Sequence, residues 1–417
     1  MKTAAIICEY NPFHNGHKYH IERTKSGFGA THMIAVMSGN FTQRGDVAIF
    51  DKFTRARTAL ENGIDLVLEL PVYCSLASAE QFAGGAVSIL NSLNCVDLLS
   101  FGSESGDIEL LKETAGASVF ASETEEFLGM MRRGLSYPAA LSKAIGKYYD
   151  DIIVETLESP NNLLAVEYLK ALADSGSDIQ PVTVKRTGAG HDSEQTSEEV
   201  NPAAKERLSA LGLIYGDEKN EPELKTASAS LLRKMLMNGE DVSDYIPDNL
   251  TGKESFKPET ASVSRLETAI LYKLRTMQAE EISKVPNVLH GLENRIKKAA
   301  HAARNLNELL FLIKTKRYPL ARIRRIILCC LLGITKTDAK TPPQYIRILG
   351  MNEKGREILS AVKSKLPADA SLAALMKHSG ACRKQGLLEC HCSDIYALAY
   401  EKPLPCGFEL TSKPVIL

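Results

Sequence analysis

Short apolar runs and helical segments alternate along the first half of the chain. Most of the runs lack polar alternation, which is typical of parallel strands that are covered on both faces. The predicted strands cover residues 4–8, 33–37, 65–70, 96–101 and, with alternating polarity, 179–185. The predicted helices between them cover residues 17–25, 53–60, 77–90 and 162–173. This order predicts an α/β fold with a Rossmann-like parallel sheet, whose ligands bind beyond the carboxyl ends of the strands.

The pattern changes after an acidic stretch rich in Pro, Gly and Ser, which runs from residue 239 to residue 258. Beyond it no strand alternation is convincing, and three segments have helical periodicity: residues 266–277, 292–312 and 323–332. The chain is therefore predicted to have two domains. Residues 1–245 form the α/β domain, and residues 255–417 form a mostly helical domain.

Composition is that of an ordinary folded protein, but its charge is unevenly distributed. The 417 residues are 44% hydrophobic and 24% charged, which excludes a disordered chain, a collagen and a coiled-coil rod. The formal net charge is only −1. Residues 1–240 hold 22 basic and 33 acidic side chains, a net −11, whereas residues 241–417 hold 28 and 18, a net +10. Such asymmetry indicates a nucleic-acid or membrane contact for the basic half.

The N-terminal segment, the lengths of the apolar runs and the cysteines indicate the cellular compartment. The apolar run at the N-terminus stops at Pro12, well short of the roughly 7–15 residues of a signal-peptide core. No apolar stretch reaches the roughly 20 residues of a membrane span. Nine cysteines without disulfide-framework spacing favour a reduced, cytoplasmic protein. We therefore expect no membrane contact and infer no obligate protein partner.

A cluster of thiols and one imidazole near the C-terminus leaves a metal site open as an alternative. Its C-x-C spacing is poor for zinc, and no second C-x-x-C exists, so no metal ligands are assigned. The cluster consists of Cys382, Cys390, His391, Cys392 and Cys406.

The sequence H-x-G-H directly follows the first predicted strand and opens the first helix. Backbone N–H groups and the helix dipole at such a helix start favour a phosphate. Gly16 allows phosphate or base to approach the backbone, and His14 and His17 can donate hydrogen bonds to oxygens on which charge develops. The alternative is a turn with two surface histidines. Its place at the end of the first strand favours a nucleotide site.

This H-x-G-H motif resembles that of the superfamily of nucleotidyltransferases and class I aminoacyl-tRNA synthetases. That superfamily has a second motif late in its catalytic domain, and residues 226–233 stand at the corresponding place. The resemblance implies that Ser228 and Ser230 cap a helix and bind phosphate, while Arg233 neutralises the departing pyrophosphate. Ala227 departs from the bulky residue that is usual there, and a simple helix cap is the alternative.

Longer strings resemble the bacterial tRNA(Met) cytidine acetate ligase family nearly from end to end. They are EYNPFHNGH (9–17), MSGNFTQRG (37–45), FGSE (101–104), SPNNLLAVEYL (159–169) and YIRILG (345–350). In that family ATP and acetate form acetyl-adenylate, and the acetyl group passes to N4 of the wobble cytidine of elongator tRNA(Met). The resemblance therefore implies ATP, acetate and elongator tRNA(Met) as substrates. Mg²⁺ is expected as a counter-charge for the phosphates, although no carboxylate identifies itself as a ligand.

The same resemblance implies the residues of the site. His14, His17 and Arg233 are the expected catalytic residues. The ATP-binding residues are expected to be Ile7, Cys8, Glu9, Tyr10, Asn11, Pro12, Phe13, His14, Asn15, Gly16, His17, His20, Gly102, Asn162, Arg186, Ser228 and Ser230. Asn162 has a helix N-cap as its alternative role, and Arg186 that of a solvated charge at a strand end. Acetate or cytidine is expected to meet Ser38, Gly39, Asn40, Gln43, Arg44 and Asp46, with Arg44 as the carboxylate clamp.

Positive charge is concentrated within residues 295–325, which hold ten basic side chains and one acid, Glu308. We interpret this stretch as a surface that follows tRNA phosphates, with Tyr318 available for base stacking. The alternative is a solvated helical face. The residues predicted to bind tRNA are Lys297, Lys298, Lys314, Lys316, Arg317, Arg322, Arg324 and Arg325.

Two other functions compete with the ligase. One is a small-molecule adenylyltransferase, which shares H-x-G-H but is usually shorter and does not need a basic second half. The other is an RNA-binding protein with a relic nucleotide pocket, against which the retained His14, His17 and Arg233 count. Acetate-dependent exchange of pyrophosphate into ATP, with and without tRNA, distinguishes the three.

Overall fold

A computed structural model describes residues 1–186, 225–247, 259–289 and 291–417. Its main sheet has the strand order β10-β8-β5-β2-β1-β6-β7, with β9 pairing with β8, and β3 and β4 form a separate hairpin. The strands are β1 (Thr3–Cys8), β2 (His32–Ser38), β3 (Phe41–Thr42), β4 (Asp46–Val47), β5 (Leu66–Leu70), β6 (Leu98–Ser103), β7 (Gln180–Lys185), β8 (Ile346–Met351), β9 (Ala368–Asp369) and β10 (Val415–Ile416).

Helices connect and cover these strands. In the first half they are α1 (Asn15–Phe28), α2 (Lys52–Glu61), α3 (Val72–Ser75), α4 (Ala79–Leu93), α5 (Ile108–Ser122), α6 (Glu125–Arg132), α7 (Tyr137–Ile145), α8 (Asp151–Glu158), α9 (Pro160–Asp174) and α10 (Ala229–Asn238). The later ones are α11 (Glu267–Thr276), α12 (Ala279–Ser283), α13 (Leu292–Ala302), α14 (Leu306–Ile313), α15 (Leu320–Leu332), α16 (Lys336–Ala339), α17 (Glu353–Ala361), α18 (Leu372–Leu375), α19 (Gly380–Tyr396) and α20 (Phe408–Thr411). Short 3₁₀ turns cover Ser243–Tyr245, Val263–Leu266 and Ala397–Ala399.

The predicted α/β sheet is confirmed, and its first-half strands are parallel. Every residue of β1 and β2 is buried, which explains why these strands have apolar runs rather than alternation. β1 pairs in parallel with β2 on one side and with β6 on the other. The carboxyl ends of β1, β2, β6 and β7 therefore meet at one edge of the sheet.

The expectation of no strand beyond residue 255 is wrong. β8 pairs antiparallel with β5, and β10 pairs in parallel with β8, so the end of the chain completes the sheet of the first half. The missed strand is a buried run that contains one charged residue, Arg347, and its pairing partner lies about 280 positions earlier, so no local turn announces it. The proposed boundary, between residues 245 and 255, lies mostly outside the described residues, and the two-domain division stays a prediction.

The middle of the second half is helical, as expected. The periodic segment predicted over residues 292–312 is divided into α13 and α14 at Asn305, whose side chain accepts a hydrogen bond from the backbone N–H of Glu308. Within the part of the chain that the structure describes, no helix has the length and apolar character needed to cross a membrane.

Candidate active site

A cavity of about 510 Å³ lies at the carboxyl ends of the parallel strands, where the topology predicts a ligand. Its lining includes the end of β1 and the turn that follows, namely Ile7, Cys8, Glu9, Tyr10 and Asn11, together with His14, His17 and His20 of the start of α1. Of the other predicted ATP-binding residues in the H-x-G-H segment, Pro12, Phe13, Asn15 and Gly16 are not part of the lining. They belong to the same segment but lie outside the lining, and the side chain of Phe13, for example, is buried.

The two histidines of the motif are held by the backbone of their own helix start. His14 is the N-cap of α1, and its Nδ1 accepts a hydrogen bond from Gly16 N at 3.1 Å. The Nδ1 of His17 accepts one from His14 N at 3.2 Å, and the two rings stack with centroids 3.8 Å apart. Because both Nδ1 atoms accept, each neutral ring carries its proton on Nε2. Both histidines can therefore act as Nε2 donors to a phosphate.

Arg55 fixes the edge of the sheet beneath this turn. It is fully buried and donates to the carbonyl oxygens of Glu9 at 2.6 Å, Ser38 at 3.1 Å and Phe50 at 2.9 Å, and also to that of Gly39. The ends of β1 and β2 are thus held by one guanidinium. Arg55 was not singled out from the sequence, because a single arginine in a helix start carries no motif.

The second motif meets the first across more than 200 residues of sequence. Ser228 caps α10, and its Oγ accepts a hydrogen bond from Leu231 N at 3.1 Å. Arg233 donates to the carbonyl oxygen of Asn11 at 2.7 Å and to Ser230 Oγ at 3.1 Å. Ser228, Ser230 and Arg233 all line the cavity, so the helix-cap role and the proposed phosphate role are compatible.

The opposite end of the cavity is lined by Gly102, Arg186 and His20. A Cβ at Gly102 would lie 3.3 Å from Arg186 Cγ, so glycine keeps this end open. Burial, reinforced by the charge of Arg186, lowers the pKa of His20 to about 4, and its Nε2 lies 2.9 Å from Ser100 Oγ. His20 is therefore neutral at pH 7 and adds no charge to the site.

Asn162 does not line the cavity, and it is not the N-cap of α9, a position that Ser159 occupies. Its buried Oδ1 accepts hydrogen bonds from the backbone N–H groups of Glu104 at 2.9 Å and Ser105 at 3.2 Å. It thereby holds the loop after β6, and the neighbouring Asn161 reaches the cavity wall instead.

The β3–β4 hairpin forms another wall of the cavity, through Gln43, Arg44 and Asp46. Three residues at its base that were predicted to meet substrate, Ser38, Gly39 and Asn40, are not part of the lining. Ser38 and Gly39 offer their carbonyls to Arg55, and Asn40 Oδ1 accepts from Lys52 N at 3.0 Å. These three residues position the hairpin rather than present themselves to a ligand.

Comparison with known proteins identifies the family of the chain. A family model described as HIGH Nucleotidyl Transferase matches residues 1–212 and 206–406. The tRNA(Met) cytidine acetate ligase of Acetivibrio thermocellus is 37% identical over 435 residues and spans 100% of both chains. The chain belongs to the tRNA(Met) cytidine acetate ligase family. The ligase of that name from Clostridium perfringens is 39% identical over 383 residues, 87% of each chain.

Solved structures of this ligase family share the whole fold. Thermotoga maritima TmcAL in an apo form superposes with a TM-score of 0.86 at 30% identity, over 100% of both chains. The same protein bound with alpha-thio ATP gives a TM-score of 0.84 at 30% identity and the same coverage. The likeness extends over both halves of the chain.

The basic stretch of this family member is less uniform than its composition suggests. Lys297 donates to the carbonyl oxygens of Arg275 at 2.7 Å and Met277 at 2.5 Å, which closes the C-terminal end of α11. Arg322 donates to the carbonyl of Asn287 at 2.7 Å, and Arg325 to that of Gln43 at 2.9 Å. These three side chains stabilise the fold, and we withdraw them from the predicted tRNA surface.

Tyr318 differs from expectation, and Arg324 has a place in the cavity that the sequence did not indicate. Tyr318 is buried, with the guanidinium groups of Arg317 and Arg322 at 5.7 Å and 5.2 Å from its ring centre, so it offers no face for base stacking. Arg324 is exposed but also lines the cavity, where it joins the basic stretch to the nucleotide site.

The exposed remainder still forms a basic surface. Lys298, Lys314, Lys316 and Arg317 are exposed and stay as predicted tRNA contacts. The sequence missed two exposed aromatic side chains in the same helical region: Phe311 is 79% exposed on α14, and Tyr272 is 69% exposed on α11. Hydrophobic periodicity could have found them as apolar residues on polar helix faces.

The sequence leaves a metal site at the C-terminal cysteines as an alternative. Among the described residues, no group of three His, Cys, Asp or Glu side chains is placed to hold a metal ion. Cys382 and Cys392 are buried in α19, and Cys382 Sγ donates to the carbonyl oxygen of Gln344 at 3.3 Å. The helix accounts for these two thiols as part of its packed face.

Proposed function

We propose that the protein is an ATP-dependent ligase that forms acetyl-adenylate from acetate and ATP, then transfers the acetyl group to N4 of the wobble cytidine of elongator tRNA(Met). The observation that carries the proposal is the full-length likeness to tRNA(Met) cytidine acetate ligases, together with both nucleotidyltransferase motifs on one cavity. Its proposed location is the cytoplasm, where its tRNA substrate is found.

Adenylation needs positioning more than a protein nucleophile. An acetate oxygen attacks the α-phosphorus in line, a new P–O bond forms, and the bond to pyrophosphate breaks. The Nε2 donors of His14 and His17 and the guanidinium of Arg233 are arranged to stabilise the charge that develops on phosphate oxygens. Arg44, on the hairpin wall, is the proposed carboxylate clamp for acetate.

Magnesium is proposed to enter with the nucleotide. Mg²⁺ usually keeps several waters and is held by one or two carboxylates together with substrate phosphates. The nucleotide phosphates and water are therefore its proposed ligands, and no carboxylate of the described residues is assigned to it.

Acetyl transfer requires the cytidine base to reach the cavity. Bases of an anticodon loop can leave their stack readily, so the cost of exposing the wobble cytidine is small. The exposed basic and aromatic side chains of the helical region are proposed to hold the tRNA backbone and loop bases, namely Tyr272, Lys298, Phe311, Lys314, Lys316 and Arg317. Arg324 links that surface to the cavity.

The test is mass spectrometry of elongator tRNA(Met) after incubation with the protein, ATP and acetate. The proposal predicts acetylation of the wobble cytidine, with AMP and pyrophosphate as products. Pyrophosphate exchange that requires acetate but not tRNA supports the two-step order. Absence of acetate-dependent exchange would defeat the ligase, and binding of RNA without any turnover of ATP would favour a non-catalytic protein.

A further inference from the structure

Asp46 occupies a distinct place on the hairpin wall. It begins β4, lines the cavity, and uses Oδ1 to accept a hydrogen bond from Val47 N at 2.9 Å. Glu9 is the other carboxylate of the lining among the described residues, and its Oε1 accepts from Gln43 N at 2.7 Å. Glu9 thus ties the hairpin to β1, whereas the carboxylate of Asp46 accepts its hydrogen bond from the next residue of its own strand.

Two arginines from separate parts of the chain act on Asp46. Arg233 comes from α10 and belongs to the second nucleotide motif, whereas Arg324 comes from α15 and is exposed on the basic surface. Arg233 also donates to Asn11 and Ser230 at the phosphate end of the cavity. Asp46 therefore lies where the expected phosphate end meets the side from which tRNA is proposed to enter.

This setting suits a proton acceptor better than a cation ligand. The charges of Arg233 and Arg324 repel a metal ion, and Arg44 and Glu9 are the other charged groups on this wall. Burial raises the pKa of Asp46, even though both arginines and the Val47 N–H act to lower it. A carboxylate with raised proton affinity in a cleft is a better base near neutral pH than an exposed aspartate.

We propose that Asp46 is the general base of the acetyl-transfer step. This inference rests on the proposed function. The lone pair of cytidine N4 attacks the carbonyl carbon of acetyl-adenylate, and a C–N bond forms. The bond between that carbon and the phosphate oxygen breaks, AMP leaves with the electron pair, and one N4 proton passes to the carboxylate of Asp46. The acetylated base and AMP are then the products, and the proton is released to solvent.

The experiment measures the two steps separately in Asp46→Asn and Glu9→Gln. Adenylation is followed by acetate-dependent pyrophosphate exchange, and transfer by single turnover with synthetic acetyl-adenylate and saturating tRNA. Asp46→Asn keeps the Oδ1 acceptor for Val47 N and the side-chain volume. We expect transfer to fall ~10²–10⁴-fold and exchange to fall by less than ~10-fold, because a positioned base contributes about that much to one step.

A pH profile gives an independent readout. In the wild type, transfer should lose rate on the acid side as Asp46 becomes protonated, and Asp46→Asn should abolish that limb. Three results would overturn the proposal: equal loss of exchange and transfer, a loss of transfer that appears only in the KM for tRNA, or a selective loss of transfer in Glu9→Gln instead. Failure of the wild type to transfer from acetyl-adenylate would instead overturn the proposed function itself.

Discussion

The cavity has two walls that are built in different ways. The histidine wall consists of His14–His17 and Ser228–Arg233. Each part is a helix start capped by its own side chain, and Arg233 joins the two parts by donating to the carbonyl oxygen of Asn11. The hairpin wall consists of residues 41–47 and is held mainly by distant segments. The difference indicates that the helix caps of the phosphate end are set by local sequence, whereas the acyl and cytidine end depends on the packing of the second half.

The contacts of the hairpin wall show this dependence. Arg325 donates to the Gln43 carbonyl, and a Cβ at Gly45, where φ is 76°, would lie 2.6 Å from Arg325 N. Tyr396 of α19 donates to the carbonyl of Ala48 at 2.8 Å. Helices α15 and α19 therefore hold the hairpin and the residue that follows it.

The largest effect is expected on the histidine wall. His17→Ala removes one preorganised donor and should lower adenylation by ~10²–10³-fold, equivalent to ~2.7–4 kcal/mol. Acetate-dependent pyrophosphate exchange measures the effect. Because His17 Nδ1 also accepts from His14 N, a melting curve must show that α1 still forms, and His17→Asn, which keeps a polar side chain, is the matched variant. Near wild-type exchange in His17→Ala would remove the assigned role.

How much of each wall was predictable follows from the same difference. His14, Gly16, His17 and Ser228 lie within strings of a few residues, so the sequence predicted the motifs and their partnership. Arg55, Tyr396 and Arg325 act on the hairpin from separate elements, and no local pattern marks them. Ser38, Gly39 and Asn40 follow β2 at the sheet edge where a ligand is expected, but they contact Arg55 and Lys52, two residues that no local pattern marks.

The same distinction between local and distant contacts explains which strands could be predicted. The parallel strands β1, β2, β5 and β6 were predicted because each is a short apolar run between helices. β8 was missed because its pairing with β5 brings together segments about 280 residues apart, a pairing that periodicity does not report.

A buried ionic cluster lies under the hairpin wall and should make it sensitive to pH. Lys52 Nζ lies 2.6 Å from carboxylate oxygens of both Glu69 and Glu409, and Arg347 lies 3.7 Å from Glu409. Two cations thus balance two carboxylates, and a fifth group, Glu389, is buried beside them without a matching charge. Burial, with repulsion from Glu69, raises the pKa of Glu389 to about 8.

Glu389→Gln tests this cluster. A carboxyl whose folded-state pKa is raised costs stability as pH rises from its unfolded value toward its folded one. The wild-type free energy of unfolding should therefore fall by on the order of 2 kcal/mol between pH 6 and pH 8, and the variant should lack that fall. Urea unfolding at both pH values measures it. An identical fall in both proteins would show that Glu389 is already ionised at pH 6.

Arg325→Met should affect the hairpin wall and spare the histidine wall, with an effect of intermediate size on activity. It removes the donor to the Gln43 carbonyl, so the hairpin loses support while the histidine wall keeps all its contacts. We expect acetyl transfer from acetyl-adenylate to fall about tenfold, with melting temperature lowered, because a hydrogen bond from a charged donor contributes ~1.5–3 kcal/mol. Arg322→Met is the matched control, since it removes a comparable donor to Asn287, away from the hairpin. If both variants lower transfer equally, the effect belongs to general destabilisation.

The smallest effects are expected for the exposed lysines of the basic surface, which are not part of the cavity lining. Lys314→Ala and Lys316→Ala should each reduce the slope of tRNA affinity against salt by about one, because each lysine releases about one counterion when it binds a phosphate. Pyrophosphate exchange should be unchanged. Lys297→Met is the matched control, because Lys297 is occupied by backbone carbonyls and should lower the melting temperature without altering that slope. If Lys297→Met altered the slope of tRNA affinity against salt and the Lys314 and Lys316 variants did not, the tRNA would bind another face of the helical region. The helices that support the hairpin wall would then be separate from the tRNA-binding surface.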